Sequence, residues 1–215
     1  MELTQDRQPP RAAPSAFSRL QRLAQPRVVQ EHCELCRAVI PKQHQHLLEL
    51  QSRQLVCACE ACAILFSDEH ALRYRRVPRQ IRRLNNFALS EEQWEDLHIP
   101  ISLAFFYHSL AANKVIAMYP SPAGATESLL PMDAWKELVV ANPILSKMQS
   151  EVEALLVNRV GDTQLCFLVP IDECYKLVGL IRCHWRGFSG GKEVWTEIQG
   201  FFDDLVRRTG GASHA

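Results

Sequence analysis

From residue 100 onward, short apolar runs alternate with turn residues, and their periods predict strands mixed with two helices. Ile101 to His108 and Lys114 to Tyr119 read as neighbouring strands separated by Ala111 to Asn113, and Pro120 to Gly124 reads as a loop. Asp133 to Val140 has the spacing of a helix carrying Trp135. Val152 to Val160 and Gln164 to Val169 form a hairpin across Gly161 and Asp162, a good turn dipeptide, and Tyr175 to Trp185 reads as a further strand. Lys192 to Arg208 closes the chain as an amphipathic helix with Val194, Trp195, Ile198, Phe201, Phe202 and Leu205 along one face. About five strands and two helices predict an α+β layer, mostly antiparallel, with the helices on one face.

The first hundred residues have a different texture. Residues 1–14 carry three prolines and no apolar period, which predicts a flexible tail, and Ser15 to Ala24 has the spacing of a short amphipathic helix. Ser90 followed by two glutamates is a helix start, and Pro100 ends that segment. Between them lie Cys33-Glu-Leu-Cys36, a strand-like Arg37 to Ile40, a turn over Pro41 to Gln45, and a return over His46 to Leu50. Gln54 to Cys57 is strand-like again, and Glu60 to Phe66 reads as a helix. A knuckle, a hairpin and a helix are the plan of a treble-clef or zinc-ribbon-like module. The chain thus divides into a tail with a short helix over 1–30, a metal-binding finger over 31–70, a basic linker and helix over 71–99, and an α+β domain over 100–215.

Five of the eight cysteines fall between Cys33 and Cys62, and they decide the chemistry of this finger. Cys33 with Cys36 and Cys59 with Cys62 are CxxC pairs, and two such pairs complete a tetrahedral four-sulfur shell. Cys57 lies two residues before Cys59 and is the alternative ligand. A helix start at the second pair favours thiolate over thiol. Zn²⁺ is the expected ion. Rubredoxin-type iron is the alternative, but its knuckles usually place Gly after the second cysteine, where this chain has Arg37 and Ala63. His44 and His46 lack the adjacent pair and later Asn-His of an HNH nuclease; they read as surface or shell-lining residues, with a second, histidine-based metal the other option.

Arg73, Arg75, Arg76, Arg79, Arg82 and Arg83 form a run without an acid among them, a strip for phosphate or an acidic protein surface, or a solvated linker paired with nearby acids. Net charge over all 215 residues is zero, so the whole chain gives no case for nucleic acid. No run is apolar enough to insert in a membrane and no secretory leader is evident, so a reduced, cytoplasmic protein is expected. The glycines of Gly187 to Gly191 match no phosphate-loop pattern and read as turn residues. Asp172, Glu173 and Cys174 after a strand, with Arg182, His184 and Arg186 alternating on the next and Glu127 within reach, would place a thiol near an imidazole; no local pattern supports catalysis, and an ion-pair network on a strand face explains the same residues.

The segments CELC, HQHLLEL and CACEACAILF, followed by YRRVP, WEDL, YPSPAGATES, PIDECY and WRGFSGG, resemble a bacterial family of unknown function found in gene clusters for nickel–iron hydrogenases. The resemblance runs from about residue 31 to near the end. It implies an accessory protein acting on hydrogenase assembly, stability or electron supply, with a hydrogenase subunit or maturation factor as partner. Residues and resemblance together predict a non-enzymatic, zinc-stabilised, protein-binding factor. An iron-bearing electron carrier and a nucleic-acid-binding regulator are the alternatives.

Overall fold

Side-chain alternation divides the first strand between two cores. Strand β1 (Gln45–Glu49) lies between β2 (Leu55–Ala58) and β3 (Tyr74–Arg76) in an antiparallel sheet of order β2-β1-β3. Leu47 turns into a small core with Ile40, Ala58, Ala63 and Tyr74, while Leu48, one residue on, enters the main core of the molecule. The Cys33–Cys36 knuckle precedes this sheet, and helix α1 (Glu60–Leu65) follows β2. The expected knuckle, hairpin and helix are present. The hairpin, however, is β1 with β2; Arg37 to Ile40 contributes only an isolated bridge, His32 to Val39. These elements belong to a computed structural model that describes residues 30–67, 73–161, 164–187 and 190–210. The expected tail and helix before residue 30 lie outside the described residues.

The larger sheet begins with β4 (Arg82–Arg83). Helix α2 (Glu91–Asp96) follows, its start fixed by a capping box in which the Ser90 hydroxyl accepts from the Gln93 N–H and the Gln93 side chain accepts from the Ser90 N–H. Strands β5 (Leu103–Ser109), β6 (Lys114–Ser121) and β7 (Gly124–Ser128) then form a meander. Helix α3 (Met132–Ala141) and a 3₁₀ turn (Pro143–Lys147) lead back to the hairpin of β8 (Glu153–Asn158) and β9 (Leu165–Pro170). Helices α4 (Ile171–His184) and α5 (Gly191–Gly210) complete the described chain. All pairings are antiparallel, in the order β4-β9-β8-β5-β6-β7.

Central strands buried on both faces read as continuous apolar runs, which is why β5, β8 and β9 stood out in the sequence. Phe105, Tyr107, Leu156 and Phe167 face α4 and α5; Ala104, Phe106, Leu155 and Leu168 face α2 and α3. Burying each such large side chain contributes about 1.5–3 kcal/mol. The α+β architecture with its four-cysteine module is as expected, but the helices cover both faces: Trp135 of α3 stacks on Phe106, opposite the face that carries α5.

Three local expectations are corrected. The expected strand over 175–185 is helix as far as His184, because Cys174, Leu177, Val178 and Ile181 form a helical stripe onto the sheet. Residues 120–124 are mostly strand rather than loop, since β6 runs to Ser121 and turns tightly into β7 with Gly124 at a φ of 129°. The arginine run is not a linker: residues 74–76 are the third strand of the finger sheet, and residues 82–83 are the edge of the large sheet.

The finger is fixed to the large sheet at several points. Leu48 enters the main core, and the partly buried Leu50 and Leu55 pack against it. Arg53, in the β1–β2 turn, donates to Glu151 at 2.6 Å and lies 4.3 Å above the Tyr107 ring. His46 Nδ1 meets Asp172 Oδ2, in the first turn of α4, at 2.7 Å.

Candidate metal centre

The donor atoms of Cys33, Cys36, Cys59 and Cys62 all lie within 4.8 Å of one another. The knuckle positions the first pair. Cys33 N–H donates to the Ala38 carbonyl at 2.8 Å and Arg37 N–H to the Cys33 carbonyl at 2.8 Å, which folds the chain back under the two sulfurs. Arg37 takes the left-handed conformation, with φ of 66°, that glycine would adopt more easily. The missing knuckle glycine therefore does not prevent the turn.

The helix positions the second pair. Cys59 is the N-cap of α1 and its sulfur accepts from the Cys62 N–H at 3.4 Å, so residues 59 and 62 share the helix entrance. Cys36 and Cys59 sulfurs are 3.7 Å apart. One pair on a knuckle and one on a helix start differ from the paired knuckles of rubredoxin.

Four thiols this close cannot all ionise without a cation between them, and their acidities diverge. Burial opposes ionisation of Cys33, but backbone N–H groups of Cys59, Cys36 and Leu35 outweigh it and hold this thiol below its ordinary value. Burial, followed by bonding to the sulfurs of Cys36, Cys59 and Cys33, pushes the Cys62 thiol up. A helix start alone does not make Cys62 a thiolate. A divalent cation would reverse that, because metal binding displaces thiol protons. The donor set suits a closed tetrahedral site.

Cys57, the alternative ligand, is placed elsewhere: its donor atom groups with those of His44 and His46, again all within 4.8 Å of one another. Burial, then the Glu34 and Glu31 carboxylates, push its thiol up.

The six arginines are not one strip. Arg73 pairs with Glu49 at 3.0 Å, Arg76 with Glu60 at 2.5 Å and Arg82 with Glu153 at 2.7 Å. Arg75, Arg79 and Arg83 have no ion pair among the described residues; Arg75 is on β3, Arg83 on β4 and Arg79 on the segment between them.

A thiol–imidazole pair of Cys174 and His184 does not form. Cys174 and His184 lie ten residues apart on α4, about 15 Å along its axis. Cys174 is fully buried, and His184 bonds to Glu193 at 2.9 Å. Asp172 is engaged with His46, and Glu127 lies 4.0 Å from Lys114. An apolar pocket of about 360 Å³ lies between β5, β6, α4 and α5, with Leu103, Tyr119, Ile181, Trp185 and Trp195 in its walls. Among the described residues of its lining, Tyr119 is the one that ionises. Gly190, at a φ of 85°, serves close packing, since a Cβ there would meet Val194 at 2.8 Å.

A knuckle–hairpin–helix module with four converging cysteines, set against an antiparallel α+β sheet, is the class of protein that fold and site define. The chain matches the family of unknown function DUF5947 over residues 32–209 and belongs to it. No curated protein and no solved structure matches the chain. No helix among the described residues is long and apolar enough to cross a membrane.

Proposed function

We propose that the protein is a non-enzymatic accessory factor whose finger, held by Zn²⁺ at Cys33, Cys36, Cys59 and Cys62, presents a surface to a partner protein. One observation carries this reading: the cysteine cluster, with all four donors within 4.8 Å, adjoins an apolar surface on the same module. Four sulfurs fill a tetrahedral shell and leave no position for a substrate, which is the pattern of structural sites. On α1 and its C-terminal end, Ile64, Leu65 and Phe66 are 63, 72 and 42% exposed, an arrangement that favours docking over catalysis. The combination of one knuckle with one helix start supports zinc over an electron-carrying iron. The resemblance of the chain to a family of hydrogenase gene clusters supports a partner among nickel–iron hydrogenase subunits or maturation factors, met in the cytoplasm.

The reading is tested by cross-linking and affinity capture in cells making a nickel–iron hydrogenase, comparing the wild type with Leu65→Glu. Enrichment of a hydrogenase-system protein by the wild type, lost in Leu65→Glu with metal content unchanged, is the expected result. Recovery of none, or iron with a coloured oxidised form in the four-cysteine site, would overturn it.

A further inference from the structure

Residues 44, 46 and 57 converge because of strand register. His44 and His46 are two apart and share a face at the start of β1, and His46 stands directly opposite Cys57 on β2. This is the face that also carries Leu48 and Leu55, so it looks toward the large domain. The two imidazoles meet edge to face with ring centres 4.8 Å apart, and the donors of all three residues lie within 4.8 Å of each other.

Each of the three has a carboxylate behind it. His46 Nδ1 bonds to Asp172 Oδ2 at 2.7 Å, which leaves Nε2 with its lone pair. His44 Nδ1 donates to the Pro41 carbonyl at 2.9 Å and lies 3.2 Å from Glu31 Oε2. Its Nε2 is buried without a hydrogen-bond partner, in a side chain only 7% exposed. Cys57 N–H donates to Glu34 Oε2 at 2.6 Å, placing a third carboxylate beside the thiol. An orphaned imidazole nitrogen buried in acidic surroundings is costly in either protonation state. A cation bound to the lone pairs removes that cost, and carboxylate–imidazole pairs are the usual support of a ligating histidine.

We propose that His44, His46 and Cys57 form a second metal site, distinct from the four-cysteine cluster, which binds a borderline-to-soft d-block cation such as Zn²⁺. Two imidazoles and a thiolate exclude Mg²⁺ and Ca²⁺, which require oxygen donors. The protein supplies three ligands, so a fourth position is open, as in metal sites that bind an exchangeable group. His44 and His46 border a cleft of about 1020 Å³ between finger and α4, and Lys42, Arg79 and Lys176 line it as well. Water or a small anion completes the shell from that side. Asp172 is a positioning residue: it belongs to the large domain, so the ion also ties finger to sheet.

The test titrates Zn²⁺ into the full metal-stripped chain under reducing conditions and repeats the titration with Co²⁺ as a spectroscopic probe. The wild type takes up two equivalents. His44→Asn, His46→Gln and Cys57→Ser each take up one, and retention of that first equivalent reports an intact finger. The second Co²⁺ equivalent adds thiolate charge-transfer absorption that Cys57→Ser abolishes. Asp172→Asn, which keeps every ligand, weakens the second equivalent by about 10–100-fold and leaves the first unchanged. A wild type that saturates at one equivalent, or a second equivalent that survives in the histidine and Cys57 variants, would sink the proposal. So would unaltered second-site affinity in Asp172→Asn.

Discussion

Replacing Arg53 with methionine should loosen the finger from the sheet, and the structure sets the size of the effect. Methionine keeps an unbranched stem above Tyr107 and the same left-handed backbone cost, since residue 53 has a φ of 57°. What it deletes is the cation facing Glu151, whose side chain is only 4% exposed. Removing one partner of a buried pair typically costs about 3–5 kcal/mol, because the other charge stays behind. Here Glu151 keeps the Leu110 N–H at 2.7 Å and the Ser109 hydroxyl at 3.3 Å, and Arg53 itself is 30% exposed, so solvent screens the pair. Both considerations place the loss near the lower end, ~3 kcal/mol including the forfeited cation–π contact. In a chain of this length that is a fall in Tm of about 6–12 °C. Urea unfolding of Arg53→Met, Glu151→Gln and the double variant forms a cycle with an expected coupling of about 1–3 kcal/mol. If Arg53→Met costs as much in the Glu151→Gln background as in the wild type, the carboxylate is not what the arginine serves.

Two further outcomes follow from the thiols. Cys36→Ser should lower the metal content by one equivalent and expose the finger to proteolysis first, while Phe105, Phe167 and Phe202 keep the large core folded; limited digestion with metal analysis checks both, and an unchanged metal content would refute the four-cysteine site. Burial pushes the Cys166 thiol up from 9.0 to about 12, and burial with the neighbouring Asp172 and Glu173 carboxylates raises Cys174 as well. Their folded pKa exceeds the unfolded one, so above pH 9.0 the unfolded chain loses these protons first. Stability contributed by these thiols is therefore intact below pH 9.0 and falls as pH rises from there toward about 12. Native protein treated with iodoacetamide at about pH 8 should label the exposed Cys183 and spare both, and rapid native labelling of Cys166 would contradict the burial argument.

How much of this was legible in the sequence depended on the range of the determining interaction. The four cysteines could be read directly, because CxxC spacing is a local constraint that a knuckle or a helix start satisfies without distant help. Strands β5, β6, β8 and β9 were legible for a similar reason, since burial on both faces leaves long apolar runs. Helix α4 was missed although its start carried signals: Pro170 precedes it, and Asp172 and Glu173 occupy its first turn. Those acids equally suit a polar site, and the dense apolar run through Leu177 to Ile181 hides the helical stripe. The arginines misled because their partners Glu49, Glu60 and Glu153 are distant in sequence and met only on folding.

The grouping of His44, His46 and Cys57 is the most instructive case, because residue types and spacing were visible but the register was not. Pairing His46 with Cys57 sets Leu47 against Val56 and Leu48 against Leu55. A slip of one residue would turn His46 toward the finger core and Leu47 out of it, exchanging every side chain between the two faces. Burial opposes this slip: Leu47 and Leu48 are both fully buried, each in its own core, and a shift would put His46 or Glu49 in a leucine's place. The same two leucines therefore decide that Cys57 faces the imidazoles while Cys59, two residues on at the helix N-cap, joins the four-sulfur cluster. The placing of both candidate donor sets, one on each side of this small sheet, thus follows from apolar burial at its centre. Substitutions at Leu47 or Leu48 should accordingly disturb both candidate centres, whereas His44→Asn disturbs one.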